Sequence, residues 1–530
     1  MPIRIRKDKG SSSNSGNVQK SRSRNSSRGG MLGGKGGGIA SALIPMLIKL
    51  FKKNPKMGII LLIVGGIAYY MISGSGGEGS QSSAIANIVQ SFAGTGLEMD
   101  EKIYDEAEVF EPLADNVKNP IPESVTLQEY CPKRRSQGSQ GSCVGWSSAY
   151  AARTILQSRA TGQKPNEVTF SPSFLYNQIA LEGCQGTYLQ KAMEVMKGGG
   201  SLPFSKFAYN ENSCSKKPSN RELQDASAYR TKGFNRLTVS GNNQKTDLLA
   251  MKQNLAQGAP VVIGMMVGGS FMTAMTGKEV WIPTKSDYNM NGFGGHAMCV
   301  IGYDDYKTKN EGAFQIMNSW GEDWGKKGIF WIRYSDFKEF NREAYGLYPM
   351  GNANAVNASN LDAKIGLVYN NTGKYLPFKY SGGIQFSSTD LLKVNQDFKV
   401  EITNSLECYT YIFGEEVDGA SYVLFPYTAK HSPYCGITGT RLFPKDHSLF
   451  ADAKGRKDHF AIVVSKQKLD YNLLNKAINS SNGNSYQDKV YSTLKDELIQ
   501  DVSFTGGKTI DFNTKSSNKN MVAIVLEVDK

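Results

Sequence analysis

Hydrophobic and polar residues alternate in the middle of the chain with the periods of regular secondary structure. A period near 3.6 residues predicts helices over 147–158 and 188–197, because it places the apolar side chains on one helix face. A period of two, typical of half-buried strands, predicts strands over 261–267, 297–303, 313–317 and 328–334. The middle of the chain is therefore predicted to be an α+β domain.

The last third of the chain has a different pattern. Residues 351–364 are rich in Asn, Ala and Gly and predict a linker. Short alternating runs separated by turn residues predict strands over 365–369, 398–403, 409–413, 422–425, 460–464 and 521–528. Helices are predicted over 466–478 and 486–497. Residues 365–530 are thus predicted to form a β-rich, sandwich-like domain.

Residues 57–73 form an uncharged, mostly apolar stretch of seventeen residues, at the short end of what spans a bilayer. Three lysines precede this stretch closely and few positive charges follow it, so the positive-inside rule places its N-terminal side in the cytoplasm. A cleaved signal peptide fits less well, because the preceding region is long and no Ala-x-Ala site follows. A buried core helix also fits less well, since a Gly/Ser linker follows directly. We expect a single-pass inner-membrane protein.

The positive charge of the chain is concentrated before this stretch. Residues 1–56 contain thirteen Lys and Arg and one acid, Asp8, and so carry +12 of the net charge of +13. The rest of the chain is nearly neutral, which argues against a domain that binds nucleic acid. Residues 1–38 are rich in Ser, Gly and Arg and are predicted to be disordered. We therefore interpret residues 1–56 as a basic cytoplasmic tail.

Residues 74–120 are predicted to be a linker whose second half is acidic. Nine acidic residues and two lysines lie within residues 98–123. A solvated spacer is the simpler interpretation of such a charge run, and a docking or inhibitory segment is the alternative.

The candidate chemistry begins at Cys143, in the sequence Gln-Gly-Ser-Gln-Gly-Ser-Cys-Val-Gly-Trp-Ser. The helix predicted over 147–158 follows directly. Free backbone N–H groups and the positive end of the helix dipole favour thiolate over thiol at such a position. The cysteine N–H can also point at a developing oxyanion. A cysteine of this kind is more often structural, so the catalytic interpretation depends on its partners.

Two further motifs supply those partners. His296 lies in Gly-Phe-Gly-Gly-His-Ala-Met-Cys-Val, and Asn318 begins Asn-Ser-Trp-Gly-Glu-Asp-Trp-Gly-Lys-Lys-Gly. They follow Cys143 by 153 and 175 residues. The three segments together resemble the papain family of cysteine proteases, over about residues 121–350. The resemblance implies a two-lobed fold with a helical lobe carrying Cys143 and a β-barrel-like lobe carrying His296 and Asn318.

The resemblance also implies roles for the matched residues. Cys143 corresponds to the nucleophile, His296 to the base, and Asn318 to the residue that orients the imidazole. Trp320 would shield the His–Asn hydrogen bond from water. Gln137 would supply the side-chain donor of the oxyanion hole, beside the Cys143 N–H.

Substrate-binding positions follow from the same resemblance. Gly186 and Thr187 match a segment that usually ends in two glycines, and Thr187 replaces the second. Met350 lies two positions after Gly346-Leu347-Tyr348, at the expected floor of the pocket for the second residue before the cleaved bond. An apolar thioether there predicts a preference for Leu, Phe or Val over charged residues. Val144 and Gln140 also depart from the family, which usually has Trp and Cys there.

Family members are usually held inactive by a long helical prosegment. Only 47 residues separate Ser73 from Ile121, the counterpart of the mature start of the family, and part of them is Gly/Ser-rich. The sequence therefore leaves little room for such a prosegment.

The seven cysteines all lie at or after Cys131, which fits an exported body. If Cys143 is catalytic, six remain for disulfides. The candidate pairs are Cys184–Cys214, Cys408–Cys435 and, as the leftover pair, Cys131–Cys299. Three histidines of the last third, with Cys408 and Cys435, match no closed zinc pattern, so we expect no metal and no other cofactor. These histidines are His431, His447 and His459.

The sequence predicts a membrane-anchored cysteine endopeptidase that cleaves peptide or protein substrates outside the cytoplasm of a bacterium. The alternative is a catalytically silent scaffold that binds envelope partners, and transpeptidation would use the same residues. Residues 365–530 weakly resemble an uncharacterised bacterial domain attached to envelope proteins. We expect them to bind a protein partner or to position the enzyme.

Overall fold

A computed structural model of the chain describes residues 3–8, 95–239, 245–351, 360–515 and 518–530. The predicted transmembrane segment 57–73 and most of the basic tail lie outside these residues. Among the residues that are described, no helix is both long and apolar enough to cross a membrane.

The helical lobe forms around a helical stretch that begins at Cys143. The stretch is α-helical over Cys143–Gly145, π-helical over Trp146–Arg153 and α-helical again over Thr154–Thr161. Gly162 ends it in the left-handed conformation, with a φ of 71°. The periodicity predicted a helix over 147–158, but it did not predict that Trp146–Arg153 would be π-helical. The other α-helices of this half are Pro172–Ile179, Leu189–Gly198, Asn220–Ala226 and Leu248–Ala256.

An eight-stranded sheet forms the second lobe, and it contains all four strands that the alternation predicted. Its central strand, Gly294–Asp304, lies between Val261–Val267 and Ala313–Met317 and pairs antiparallel with both. The order of the sheet is Phe234–Arg236, Asn341–Leu347, Val261–Val267, Gly294–Asp304, Ala313–Met317, Ile329–Arg333 and Val280–Trp281, and Ser124–Thr126 pairs with the central strand. Helices Gly269–Thr273 and Tyr334–Phe340 belong to the same half.

Residues 361–530 form two sheets that face each other across a buried apolar core. The first contains His447–Ala451, Asp397–Asn404, Ala363–Tyr369, Ile510–Thr514, Val502–Thr505, Tyr375–Leu376 and Gly439–Phe443. The second contains Phe378–Gly382, Gln385–Ser388, Met521–Asp529, Lys457–Ser465, Cys408–Glu415, Ser421–Phe425 and Tyr434–Cys435. Helices Tyr471–Ser480 and Tyr486–Leu494 pack on the outer face of the second sheet. The additional β-rich part is thus a sandwich with helices on one side.

Short elements complete the described chain. The 3₁₀ helices are Gln128–Tyr130, Pro165–Glu167, Glu182–Cys184, Ser227–Tyr229 and Asp287–Asn289. Two small ribbons pair Val109–Phe110 with His431–Ser432, and Thr238–Val239 with Lys245–Thr246.

The first residues of the chain are not disordered, contrary to the prediction. Ile3–Lys7 forms an eighth strand of the first sandwich sheet, antiparallel to His447–Ala451. Asp8 accepts a hydrogen bond from the buried Lys399 Nζ at 2.7 Å, which fixes the end of the strand. Within one molecule, this pairing puts the N-terminus and the C-terminal domain on the same side of any membrane. It therefore conflicts with a cytoplasmic tail and an external C-terminal domain.

The acidic segment before residue 121 is docked rather than solvated, so the spacer interpretation is wrong for residues 95–119. The helix Glu101–Glu106 buries Tyr104, whose ring meets that of Tyr345 edge to face at 5.2 Å. Arg236 forms an ion pair of 2.6 Å with Asp105 on the same helix. The segment is part of the folded structure.

One of the three candidate disulfides is present. Cys184 and Cys214 are bonded, as predicted. Cys408 and Cys435 face each other in antiparallel strands, but both remain thiols. The Cys435 thiol is 3.6 Å from the Thr410 hydroxyl oxygen, which accepts its hydrogen bond.

Cys131 and Cys299 are also buried thiols. The Cys131 thiol donates to the Leu127 carbonyl oxygen at 3.5 Å, within its own turn of the chain. The predictions of the second and third disulfides are therefore not supported by the structure.

Candidate active site

Cys143 is the first residue of its helix and is fully buried. The helix start leaves backbone N–H groups without partners inside the helix, as the sequence led us to expect. The amide of Ala297, in the central strand of the sheet, donates to Cys143 Sγ at 3.4 Å. This contact joins the two lobes at the thiol and brings the neighbouring His296 to the same point.

The His296 imidazole is held by the loop after the next strand. Its Nε2 lies 2.8 Å from Asn318 Oδ1, and the same oxygen accepts from the Ser319 amide at 2.7 Å. Because an amide oxygen only accepts, we assign the ring proton to Nε2. The other nitrogen, Nδ1, is buried and has no hydrogen-bond partner among the described residues. The ring is thus held with Nδ1 available to take a proton.

Trp320 covers this pair. Its ring stacks on the His296 imidazole, with centroids 4.5 Å apart and an interplanar angle of 27°. Phe271 and Trp324 pack against the indole in turn. The arrangement excludes water from the His–Asn hydrogen bond.

Gln137 is fully buried beside the triad residues. Its Oε1 accepts from the Ser319 hydroxyl at 2.6 Å, and its Nε2 donates to the Gln140 carbonyl oxygen at 2.9 Å. Since the amide group has two N–H bonds, one remains for another acceptor. Gln137 is therefore fixed in orientation without losing its capacity to donate.

Residues 95–99, which we call the cleft segment, run between the two lobes. The Leu97 amide donates to the Gly295 carbonyl oxygen at 3.2 Å. On the other side, the Thr187 amide donates to Gly96 O at 3.0 Å, and the Glu98 amide donates to Thr187 O at 3.0 Å. The cleft segment thus pairs parallel with the strand-like residues at Thr187.

Gly96 is the tightest point of this passage. A Cβ on Gly96 would lie 2.1 Å from the Gly141 carbonyl oxygen, and a Cβ on Gly186 would lie 2.6 Å from the Gly96 oxygen. Only glycine allows the backbone to pass so close. The Gly96 N–H also lowers the pKa of the Cys143 thiol, so the cleft segment lies near the thiol.

Leu97 fills a pocket next to this point and is 3% exposed. Its Cδ2 lies 2.6 Å from where a Cβ on Gly264 would be, and Leu189 and Glu343 border the same position. Glu343 lies there because the strand Asn341–Leu347 pairs it with Gly264. The missing side chain at Gly264 therefore provides the space that Leu97 occupies.

Met350 is partly buried against the core of the domain, beyond the end of the strand that carries Glu343. It is next to Gly351, whose carbonyl oxygen accepts from Arg159 Nη1 at 3.0 Å. Its place at the floor of a substrate pocket stays a prediction, whereas Gly264, Leu189 and Glu343 surround the Leu97 side chain.

Burial under the cleft segment keeps both reacting groups neutral. It raises the pKa of the Cys143 thiol to about 12, against the opposing effect of backbone N–H groups. It lowers the pKa of His296 to about 4, although the bond to Asn318 favours the cation. The closed site therefore holds a thiol and a neutral imidazole rather than an ion pair.

Comparison with known proteins identifies this half of the chain. Residues 121–350 match the family model for papain family cysteine proteases. The chain contains a papain-family cysteine protease domain. The bounds of the match are those that the three motifs predicted, so the predicted family and the class of cysteine-type peptidases are confirmed for this domain.

Individual relatives are more distant. An uncharacterized peptidase C1-like protein of Acanthamoeba polyphaga mimivirus is 27% identical over 206 residues, which are 37% of this chain and 63% of the relative. Cathepsin K of Mus musculus is 29% identical over 217 residues, which are 39% of this chain and 58% of the relative. The chain thus spans about 60% of the length of these relatives. The crystal structure of xylellain, a cysteine protease from Xylella fastidiosa, aligns with 48% of this chain and 96% of its own, at 25% identity and a TM-score of 0.40.

The papain-family domain brings together most of the residues that the sequence singled out. Cys143, His296, Asn318, Gln137 and Trp320 surround one point, and Gly186 and Thr187 line the cleft. The Thr187 side chain points away from the cleft, because its hydroxyl donates to the Ile179 carbonyl oxygen at 2.7 Å. Its presence therefore leaves the backbone of the cleft free to pair.

Sequence reasoning missed the cleft segment, Ser319, Gly264 and Glu343. Gly264 leaves a trace in the sequence, since it interrupts the apolar run Val-Val-Ile-Gly-Met-Met-Val, whereas Glu343 leaves none. A glycine inside a strand often marks a close approach of another chain segment. Of the histidines considered as ligands, His459 lies between Glu415 and Glu527, at 2.7 and 3.4 Å.

Proposed function

We propose that residues 121–350 act as a cysteine endopeptidase, with Cys143 as nucleophile, His296 as base and Asn318 as the residue that orients the base. The observation that carries the proposal is the His296–Asn318 hydrogen bond of 2.8 Å, which leaves Nδ1 without a partner among the described residues, while the amide of the adjacent Ala297 donates to the buried thiol. The family of the domain supports the same reaction.

In the proposed reaction, His296 Nδ1 takes the proton of the Cys143 thiol, and Sγ attacks the substrate carbonyl carbon. The Cys143 amide and Gln137 Nε2 donate to the oxyanion of the tetrahedral intermediate. His296 then gives its proton to the leaving amine, and a thioester remains on Sγ. Water, deprotonated by His296, hydrolyses the thioester and restores the thiol. An amine in place of water would give transpeptidation.

The structure corresponds to a latent form of this enzyme. The carbonyl oxygen of Gly96 accepts from the Thr187 amide and is therefore turned away from the oxyanion donors. The cleft segment covers the thiol without presenting a bond for cleavage. Activity then requires that residues 95–99 leave the cleft.

The pocket of Leu97 indicates the substrates. We propose that peptides with Leu or a similar apolar residue at the second position before the cleaved bond place that side chain between Gly264 and Leu189. Glu343 borders this pocket through its Cβ, and its carboxyl group is neutral at pH 7 because burial raises its pKa to about 8. The pocket is thus apolar near neutral pH but holds a group that an arginine could pair with.

Labelling with an epoxysuccinyl affinity probe tests the proposed function. The full chain carrying Leu97→Asp, which should expel the cleft segment, is expected to be modified stoichiometrically at Cys143 and to cleave peptides. The same protein with Cys143→Ala is the control. If Leu97→Asp leaves Cys143 unlabelled and no peptide is cleaved, the domain is a silent scaffold, an alternative favoured by the complete burial of the thiol.

We propose in addition that residues 57–73 anchor the chain in a cytoplasmic membrane, with the two domains outside. The uncharged length of the stretch and the lysines before it support this. A single span with a cytoplasmic N-terminus would separate residues 3–7 from 447–451, so the pairing of these strands could not persist in the anchored molecule. A reporter fused after Lys530 should be active only outside the cytoplasm, and a cytoplasmic signal would overturn the topology. Digestion at Lys9 by external protease would place the N-terminus outside as well.

A further inference from the structure

The chain between the cleft segment and the papain-family domain is held by the C-terminal domain. We call residues 108–119 the connector. Its first strand, Val109–Phe110, pairs in parallel with His431–Ser432 of the C-terminal domain. The Val109 amide donates to the Lys430 carbonyl oxygen at 3.0 Å. The connector therefore adds a strand to the C-terminal domain.

Arg441 of the C-terminal domain hydrogen-bonds to the middle of the connector. It is 2% exposed, and its Nε donates to the Glu111 carbonyl oxygen at 3.0 Å. Its other nitrogens bond Asn404 Oδ1 and the Ile437 carbonyl oxygen, each at 2.7 Å. The Glu111 carboxylate accepts from the Lys445 amide at 2.5 Å. Because Arg441 is fixed by its own domain, it presents a preformed donor to the connector.

The end of the connector is bound as closely. Leu113 is 2% exposed in a small apolar cluster with Ile437 of the C-terminal domain and Tyr348 of the papain-family domain. Asn119 accepts from the Thr440 amide at 2.7 Å and donates to the Thr440 carbonyl oxygen at 3.0 Å. The Ala114 amide donates to the same carbonyl oxygen at 2.8 Å. The connector thus fills the junction between the two domains.

The papain-family domain binds the connector through fewer polar groups. Gln253 Nε2 donates to the Ala114 carbonyl oxygen at 2.8 Å. Glu108 and Lys197 form an ion pair of 3.6 Å whose side chains are about 40% exposed, so it contributes little. Among the described residues, backbone pairing and the buried arginine come from the C-terminal domain.

We infer that the C-terminal domain is the intramolecular binding site for the connector and that this binding holds the cleft segment over Cys143. The inference rests on the proposed function, since it assigns the regulation of that site. Eight residues, 100–107, join the cleft segment to the connector. The joining residues also contact the papain-family domain, through Tyr104 and Asp105. The docked connector acts together with these contacts to keep residues 95–99 near the cleft, and its release makes their departure easier. The sandwich domain is then the part of the chain that sets latency.

Asn119→Ala in the full chain tests the inference, because it removes the side-chain bonds to Thr440 and touches nothing in the catalytic machinery. We expect the rate of epoxysuccinyl labelling at Cys143 to rise about tenfold, from the loss of two to three buried hydrogen bonds. The matched control is Gln257→Ala. Gln257 joins the two domains directly, through the Thr438 amide at 3.0 Å, and does not contact the connector through this bond.

The outcomes separate the inference from the proposed function. Faster labelling in Asn119→Ala and unchanged labelling in Gln257→Ala support the inference. Unchanged labelling in Asn119→Ala, with rapid labelling in Leu97→Asp, overturns the inference and leaves the enzyme intact. Equal acceleration in both variants means that domain separation in general opens the cleft, and it also overturns the role of the connector. No labelling in Leu97→Asp refutes the proposed function itself.

A second variant keeps the test decisive if Asn119→Ala does not fold. Lys118 is partly exposed and pairs with Glu401 of the C-terminal domain. Lys118→Ala should accelerate labelling in the same direction, by a smaller factor.

Discussion

The Thr187 amide donates to the Gly96 carbonyl oxygen at 3.0 Å, and this bond is consistent with a peptide that lies on Cys143, the proposed nucleophile, without being cut. A peptide bond is cleaved only when its carbonyl oxygen faces the oxyanion donors. Among the described contacts, the Gly96 oxygen is bound by the Thr187 amide and not by the Cys143 amide or Gln137 Nε2. The Gly96 N–H instead lowers the pKa of the Cys143 thiol.

Leu97→Asp should open the cleft. The variant would place an unpaired carboxylate in the apolar pocket beside Gly264, which costs roughly 3 kcal/mol and converts to about 100-fold faster labelling of Cys143. Leu473→Asp is the matched control, because Leu473 is 61% exposed on a helix of the C-terminal domain. Equal labelling rates in the two variants would mean that Leu97 does not hold the cleft segment.

The triad predicts a graded loss of activity in the opened Leu97→Asp background. Cys143→Ala should abolish peptide cleavage, and His296→Ala should come close, because the base makes the nucleophile. Asn318→Ala should lose about 10- to 100-fold in kcat, since it only orients the imidazole. Initial rates on a peptide library measure all three. Activity of Cys143→Ala equal to that of its parent would end the assignment of the nucleophile.

Glu343 predicts a specificity that depends on pH. Below about pH 8 its buried carboxyl group is neutral, so Leu should be preferred at the second position before the cut. As pH rises through 8 the carboxylate forms. The cleavage rate of peptides with Arg at that position should then increase relative to that of peptides with Leu. Glu343→Gln should reduce kcat/KM for the Arg peptide by at least about tenfold and spare the Leu peptide.

Met350→Glu distinguishes the two candidate pocket floors. It should leave the ratio of kcat/KM for the Arg and Leu peptides unchanged, because Met350 lies beyond the end of the strand that pairs Glu343 with Gly264. A rise in Arg cleavage in this variant would restore Met350 to the pocket.

Glu111 predicts that latency weakens as pH rises. Burial raises the pKa of its carboxyl group from 4.5 to about 7. The charge of Asp446 also raises this pKa, and Lys445 and Arg441 lower it. Glu111 therefore binds a proton more tightly when the connector is docked than when it is released. Its docking is strongest below about pH 4.5 and weakens as pH rises to 7.

The readout is the labelling rate of the full chain relative to Glu111→Gln, which cancels the pH dependence of the probe reaction. The ratio should rise about 40-fold between pH 5 and pH 7, as a pKa of 4.5 in the released connector and about 7 in the docked one implies. A ratio that stays flat would show that Glu111 keeps its proton affinity on docking.

The Cys184–Cys214 disulfide predicts the largest loss of stability from a single covalent change. It closes a loop with a sequence separation of 30 residues. Replacing both cysteines by Ser should lower the free energy of unfolding by about 3 kcal/mol, through the added entropy of the unfolded chain. Urea unfolding measures this, and Cys408→Ser, at a thiol, is the control. An unchanged midpoint for the double variant would contradict the prediction.

Local pattern was enough to predict the elements and the chemistry of the papain-family domain. The strands at 261–267 and 313–317 are short, mostly apolar runs that are buried almost throughout, so their bounds could be read directly. The motifs around Cys143, His296 and Asn318 were equally local. The beginning of the helix at Cys143 follows from the motif. The periodicity predicted a helix after it but did not distinguish the π-helical form of Trp146–Arg153, which depends on packing.

Tertiary structure alone decided what occupies the cleft and which strands meet. The acidic run at 98–123 suits a solvated spacer as well as a docked segment, because charge does not specify a partner. Its fate depends on Gly141, Arg441 and Thr440, which are distant in sequence. The pocket that Leu97 occupies could not be predicted for the same reason. Register between strands brings Glu343 opposite Gly264, and register is set by the contacts of the whole sheet rather than by either strand.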